Sequence, residues 1–284
     1  MTTQPHIVLT GLAFGESPRW HDGRLWVADW LAQEILTVDA GGRSEVVLRV
    51  PFRSIPMCID FLPDDRLLVV ASNDRKLLRR EPDGSLVTHA DLSGLAPRGW
   101  NEVVGDGRGY VYLNAAGFDL MAGEEPRPGV VAVVAPDGSS RQVADGFGFP
   151  NGMAVTPDGR ALIVADSYAS CLFAFDIAAD GDLTNRRVWA DLPGGVPDGI
   201  CLDAEGAVWY ASVPNKRCTR VREGGEVLQT VELDRGCFAC ALGGVDGQTL
   251  FLVAQEWRGP AQMAEGPRTG QVLAVPAPAP AASR

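Results

Sequence analysis

Four polar side chains recur at nearly the same offset in this chain. Asn101, Asn151 and Asp198 each lie eight residues before a glycine, Gly109, Gly159 and Gly206, and Glu16 lies seven before Gly23. Two further segments carry apolar residues at the matching place: Met57, eight before Asp65, and Ala239, eight before Gly247. Carboxylates and amide carbonyls, with no His or Cys among them, are hard oxygen donors that suit a divalent cation. Two carboxylates around such an ion leave zero net charge. Coordination positions not filled by protein are open to water and substrate, which is the pattern of a catalytic site. Turn capping is the competing reading, because Asn and Asp before Gly often cap turns. Four matched offsets favour the site.

Such offsets imply repeated elements that bring the four heads together. The clearest copy is Pro150-Asn151-Gly152-Met153-Ala154-Val155, read as a Pro-Asn-Gly turn running into an apolar strand. It continues through a hairpin turn at Pro157-Asp158-Gly159 into a returning strand, Ala161 to Ala165. Pro197-Asp198-Gly199-Ile200-Cys201-Leu202 repeats it, and weaker copies begin near Glu16, Met57, Asn101 and Cys240. Each unit carries later strands, such as Val130 to Val134 and Gln271 to Val275. The units recur at about 38 to 50 residues, the range of propeller blades, and helical periodicity is not sustained. The expected fold is all-β: a six-bladed β-propeller of four-stranded blades with the heads at one mouth of the central channel. A β-sandwich or double-sheet barrel would explain the strands but not six repeats. Residues 1–276 are expected to form a single domain, and the Pro/Ala-rich tail, 277–284, to be disordered. Two units are stretched, at 119–129 and 257–269, as covers over a site would be.

Glu16-Ser17-Pro18-Arg19-Trp20, Pro150-Asn151-Gly152-Met153-Ala154 and Pro197-Asp198-Gly199 resemble the senescence marker protein (regucalcin)/gluconolactonase/luciferin-regenerating enzyme family. The resemblance runs from Gly15 to Val275. It implies one divalent cation in the channel, calcium or zinc (magnesium or manganese also being open), held by Glu16, Asn151 and Asp198. It also implies that Asn101 contacts metal-bound water or substrate, and that the activity is metal-dependent lactone hydrolysis. Polarisation of the lactone carbonyl by the cation, attack by water with Asp198 as general base, and orientation of the substrate by Asn101 would follow. The chain departs from the sugar-lactonase pattern at two places. Arg-x-Asn becomes Arg98-Gly99-Trp100-Asn101, and an acidic residue of some members becomes Phe118, or Asp119 if the register slips. The expected substrate-binding residues are Asn101, Arg98, Arg19, Trp100, Phe118 and Met57. With Phe14, Trp20, Trp30 and Phe149 also flanking the mouth, the pocket is expected to be less polar than one built for gluconolactone. Phosphotriester hydrolysis, C–C or C–O cleavage of a carbonyl compound, and a non-catalytic calcium-binding propeller are the alternatives.

Composition narrows the partners. The net charge of -11 and the lack of a basic patch argue against nucleic acid. No apolar run approaches the ~18 residues that span a bilayer, so no membrane partner is expected. Met1 to Leu9 lack the pattern of a signal peptide, so a cytoplasmic location is expected, with the six cysteines reduced and Cys237 and Cys240 buried as a structural pair. His6, His21 and His89 sit in no motif that would support a Ser-His-Asp triad. A small-molecule substrate and a monomer or small homo-oligomer complete the expectation.

Overall fold

The computed structural model describes residues 4–39, 41–120, 122–264 and 266–282. The chain opens with β1 (His6–Leu12). Blade 1 follows as β2 (Gly15–His21), β3 (Arg24–Asp29), β4 (Glu34–Val38) and β5 (Ser44–Arg49). Blade 2 is β6 (Ile59–Phe61), β7 (Leu67–Ala71), β8 (Lys76–Arg80) and β9 (Leu86–Asp91). Blade 3 is β10 (Glu102–Gly105), β11 (Val111–Ala115), β12 (Gly129–Val134) and β13 (Ser140–Phe147). Blade 4 is β14 (Pro150–Val155), β15 (Ala161–Asp166), β16 (Cys171–Ile177) and β17 (Leu183–Asp191). Blade 5 is β18 (Ile200–Leu202), β19 (Val208–Ser212), β20 (Arg217–Val221) and β21 (Val227–Glu232). Blade 6 holds β22 (Gly236–Gly243), β23 (Thr249–Gln255) and β24 (Gly270–Pro276), with β1 as its outermost strand.

Each blade is an antiparallel four-stranded meander, and the inner strands β2, β6, β10, β14, β18 and β22 neighbour one another around a closed ring. The expected six-bladed propeller is therefore the fold. Burial explains the strand sequences. The second strand of a blade is covered on both faces, so Leu67 to Ala71 reads Leu-Leu-Val-Val-Ala and is wholly buried. The outermost strand of blade 1 is largely exposed and carries Ser44, Glu45 and Arg49.

Three features were not foreseen. Antiparallel pairing of His6 with Ala274 and Thr10 with Gln271 makes the start of the chain close the ring. The tail expected to be disordered is packed through Ala282. Ala277 and Ala279 are buried, Ala281 bridges to Asp203, and the Ala282 amide donates to the Leu202 carbonyl at 3.1 Å. Small side chains let this Ala/Pro segment lie flat between blades 5 and 6. Pro150-Asn151-Gly152 is not a turn but the opening of β14, and its glycine answers a close approach. A Cβ on Gly152 would lie 2.5 Å from the Asp198 carbonyl oxygen. Gly199 is the equivalent case, where a Cβ would meet the Ala239 backbone at 2.7 Å.

Candidate functional site

The inner strands converge on a cavity of about 600 Å³ at one end of the channel. Glu16, Asn101, Asn151 and Asp198, the four matched heads, all line it. Bulges help to aim them. In blade 4 the register slips between Pro150 and Met153, so Asn151 and Gly152 together face Ala165. In blade 1 the slip lies between Glu16 and Arg19. Extra residues of this kind re-aim side chains at barrel rims and active sites.

Hydrogen bonds tie the heads together. Asn101 Nδ2 donates to Asn151 Oδ1 at 3.4 Å, and Asn151 Nδ2 donates to Ser167 Oγ at 3.3 Å. Ser167 Oγ donates to the Pro197 carbonyl at 2.7 Å, and Asn114 Nδ2 holds the Asn151 carbonyl at 2.5 Å. The Asn151 side chain also bonds Asp198.

Electrostatics distinguish the acids. Burial, with the Ser17 amide pulling back and the Glu102 charge adding, pushes Glu16 up to about 8. Burial and then the charges of Glu16 and Glu102 lift Asp198 well above the usual carboxylate range. Among the described residues neither acid makes an ion pair, although the Arg19 charge reaches Glu16, and two buried acids that repel each other gain from a divalent cation between them. Among the described residues no group of three His, Cys, Asp or Glu side chains is disposed to hold a metal ion. The oxygen set here is two carboxylates and an amide, which fits a hard divalent cation.

Sequence reasoning missed Glu102, which lines the same cavity one position past Asn101. Its Oε1 accepts from Arg19 Nη2 at 3.0 Å, and Arg19 Nε lies 3.5 Å from Asp60 Oδ1. Burial raises the Glu102 pKa and Arg19 holds it back. Nothing in the offset pattern marks Glu102, whose buried carboxylate is held by the arginine arriving from blade 1 and by the Val103 amide.

The expected substrate-binding residues divide. Asn101, Arg98 and Phe118 line the cavity. Arg19 does not; past the blade 1 bulge it points further down the channel, to Glu102, Asp60 and the Val103 carbonyl. Met57 and Trp100 are fully buried in the hydrophobic cluster of blades 1 to 3. Trp100 precedes Asn101, and when one turns to the channel its neighbour turns into the blade. In blade 2 Cys58, not Met57, reaches the cavity. Trp20 stacks on Phe251, away from the mouth, whereas Phe14, Trp30 and Phe149 line the cavity as expected. Both stretched loops contribute, through Asp119 and Leu120 and through Trp257 and Met263. Cys237 and Cys240 are free thiols and buried.

The comparisons with known proteins agree with this architecture. A family model described as SMP-30/Gluconolactonase/LRE-like region matches residues 14–256, and the chain belongs to that family. A diisopropyl-fluorophosphatase of Loligo vulgaris is 29% identical over 64% of this chain and 63% of its own. A pentonolactonase of Haloferax volcanii is 23% identical over 93% of this chain and 89% of its own. The chain spans 63%, 42% and 45% of three curated relatives, less than two thirds of each. A crystal structure of a calcium-binding protein, regucalcin, from Agrobacterium tumefaciens has a TM-score of 0.80 at 23% identity, covering 99% of this chain and 95% of the other. At that identity the likeness is one of fold. No helix among the described residues is long and apolar enough to cross a membrane.

Proposed function

We propose that this protein is a metal-dependent hydrolase of cyclic esters, a lactonase. The observation that carries the reading is the Glu16, Asn151 and Asp198 oxygen group on the floor of a cavity sized for a small molecule. The relative named pentonolactonase supports a cyclic ester as substrate. A divalent cation held by Glu16, Asn151 and Asp198 would supply charge to polarise the ester carbonyl and offset the developing oxyanion. All-oxygen ligation favours calcium over zinc, and the fold likeness to a calcium-binding regucalcin is in keeping with it.

The chain's own groups then divide the work. Asp198, buried beside the cation it would help to hold, takes the proton of the attacking water and returns it to the leaving ring oxygen. Asn101 Nδ2 donates to Asn151 Oδ1 and to the Pro150 carbonyl, which leaves its Oδ1 to accept from the attacking water. Ser167 and Asn114 hold Asn151 in place. Arg19 pairs with both Glu102 and Asp60 and offsets one of their two charges.

The test is hydrolysis of unsubstituted and substituted γ- and δ-lactones by chelated protein reloaded with calcium, zinc, magnesium or manganese. Turnover that vanishes on chelation and returns with one cation is the expected result. Turnover untouched by chelation rejects metal dependence, and a metal-loaded protein inert to every ester would leave the non-catalytic propeller. A second reading, phosphotriester hydrolysis at the same group, is favoured by the relative named diisopropyl-fluorophosphatase. A dialkyl aryl phosphate in the same panel decides it.

A further inference from the structure

The walls of the cavity above the oxygen donors are aromatic and stand on opposite sides of the ring. Blades 1 and 6 contribute Phe14, Trp30, Phe238 and Trp257. Phe14 stacks on Trp30 at 5.4 Å, and Phe238 meets Phe14 at 5.1 Å and Trp257 at 5.7 Å. Blades 3 and 4 contribute Phe118, Phe149 and Tyr168. Phe149 stacks on Tyr168 at 5.2 Å and meets Phe118 edge-on at 5.7 Å. In a ring of six, blades 1 and 6 face blades 4 and 3.

Both walls are anchored in the same way. Asp29 accepts from the Ala13 and Phe14 amides at 2.8 Å, and Asp166 accepts from the Gly148 and Phe149 amides at 2.7 and 2.9 Å. The Trp30 amide bonds the Phe14 carbonyl, as the Ser167 amide bonds that of Phe149. Tyr168 and Trp257 are 51% and 37% exposed, large rings left partly open at the rim. Several polar side chains of the upper cavity are already engaged, while the Trp30 indole nitrogen is buried without a hydrogen-bond partner among the described residues. Arg98 is tied to Glu124, and Arg75 donates to the Ser93 carbonyl at 3.0 Å. Asp119 accepts from Ala122 at 3.0 Å, and Ser167 donates to Pro197.

We propose that the substrate carries an apolar substituent, an aryl group or an alkyl chain, held between these two walls while its ester ring faces the oxygen-donor floor. The ring rests on the lactonase reading above; the substituent rests on the walls alone. A hydroxyl buried there without a partner loses on the order of tenfold to a hundredfold in affinity. Each buried methylene gains about fourfold. Both effects select against a polyhydroxylated lactone.

The test separates the two readings by using lactams, which keep the ring and resist hydrolysis. Calorimetry compares a phenyl-substituted δ-valerolactam with gluconolactam on the calcium-loaded protein. The phenyl compound is expected to bind at least tenfold more tightly, and Trp257→Ala and Tyr168→Ala are each expected to narrow that ratio about fivefold. Equal or tighter binding of gluconolactam overturns the proposal. So does a ratio unchanged in both variants. If the phenyl lactam wins while no lactone is turned over, the substituent class stands and the hydrolysis reading falls.

Discussion

Asp198 and Asp203 flank the same three-residue strand, β18, yet their surroundings differ in kind. Asp203 is 1% exposed and saturated. Its Oδ1 accepts from the Glu205 and Ala207 amides at 3.0 and 3.1 Å, and its Oδ2 accepts from Arg220 Nε at 2.7 Å. Asp198 has an asparagine beside it and two further acids nearby, Glu16 and Glu102, that raise its pKa. A saturated buried acid stabilises a blade. A buried acid surrounded by like charge is costly to the apo fold and is kept where a ligand or a proton is to be handled. The same contrast runs along the channel, where Glu102 and Asp60 have Arg19 and, among the described residues, Glu16 and Asp198 make no ion pair.

Substitutions can break that contrast. The largest effect is expected from Asp198→Asn, which should lower kcat/KM on the best lactone on the order of 10² to 10³-fold. The thermal midpoint of the metal-free protein should not fall, since burial and the neighbouring acids already favour an uncharged group there. A large loss of stability with activity intact would make Asp198 a structural acid like its neighbour. Asp203→Ala should do the reverse, costing about 3–5 kcal/mol because Arg220 loses its buried partner and keeps only the exposed Glu205, and the Glu205 and Ala207 amides lose their acceptor. Denaturant unfolding measures this, and the folded fraction should keep its turnover.

Smaller is the effect of Asp166→Ala, which frees the Gly148 and Phe149 amides at a cost of about 1–3 kcal/mol. It should weaken aryl-substituted lactones more than unsubstituted ones, and equal KM changes for both would detach Asp166 from the aromatic wall.

The contrast also predicts an effect of pH on the metal-free protein. Glu16 sits at about 8 in the fold against about 4.5 in an unfolded chain, so between those values the folded state holds a proton that the unfolded state has lost. The stabilisation is complete below about 4.5 and is lost as pH rises through about 8. The chelated protein should therefore melt a few degrees lower at pH 8.5 than at pH 5, and calcium should restore the difference. A melting point that rises with pH in the chelated protein would show that Glu16 is paired after all.

Much of this was legible because propeller repeats place chemistry at fixed offsets. The six units, their Asp-Gly hairpins and the four polar heads at one mouth could be read from spacing alone. What spacing could not supply was contact between distant segments. The pairing of His6 with Ala274, the docking of residues 277–282 and the reach of Arg19 to Glu102 each join parts far apart in the chain. Alternation misled at Met57 and Trp100, where a shift of one residue exchanges the channel for the core. It also concealed why Gly152 and Gly199 follow their polar heads. Those glycines make room for the next blade and do not serve a turn.

The central claim is that Glu16, Asn151 and Asp198 hold a divalent cation. Calorimetric titration of calcium into chelated protein at pH 7, run in two buffers of different ionisation enthalpy, tests it most directly. Carboxyls that carry protons at that pH must release them when the ion binds. The expected result is one site with uptake of close to one proton or more by the buffer, and loss of both the site and the proton release in Asp198→Asn. Calcium bound equally well by that variant, or bound with no buffer dependence of the heat, would contradict it.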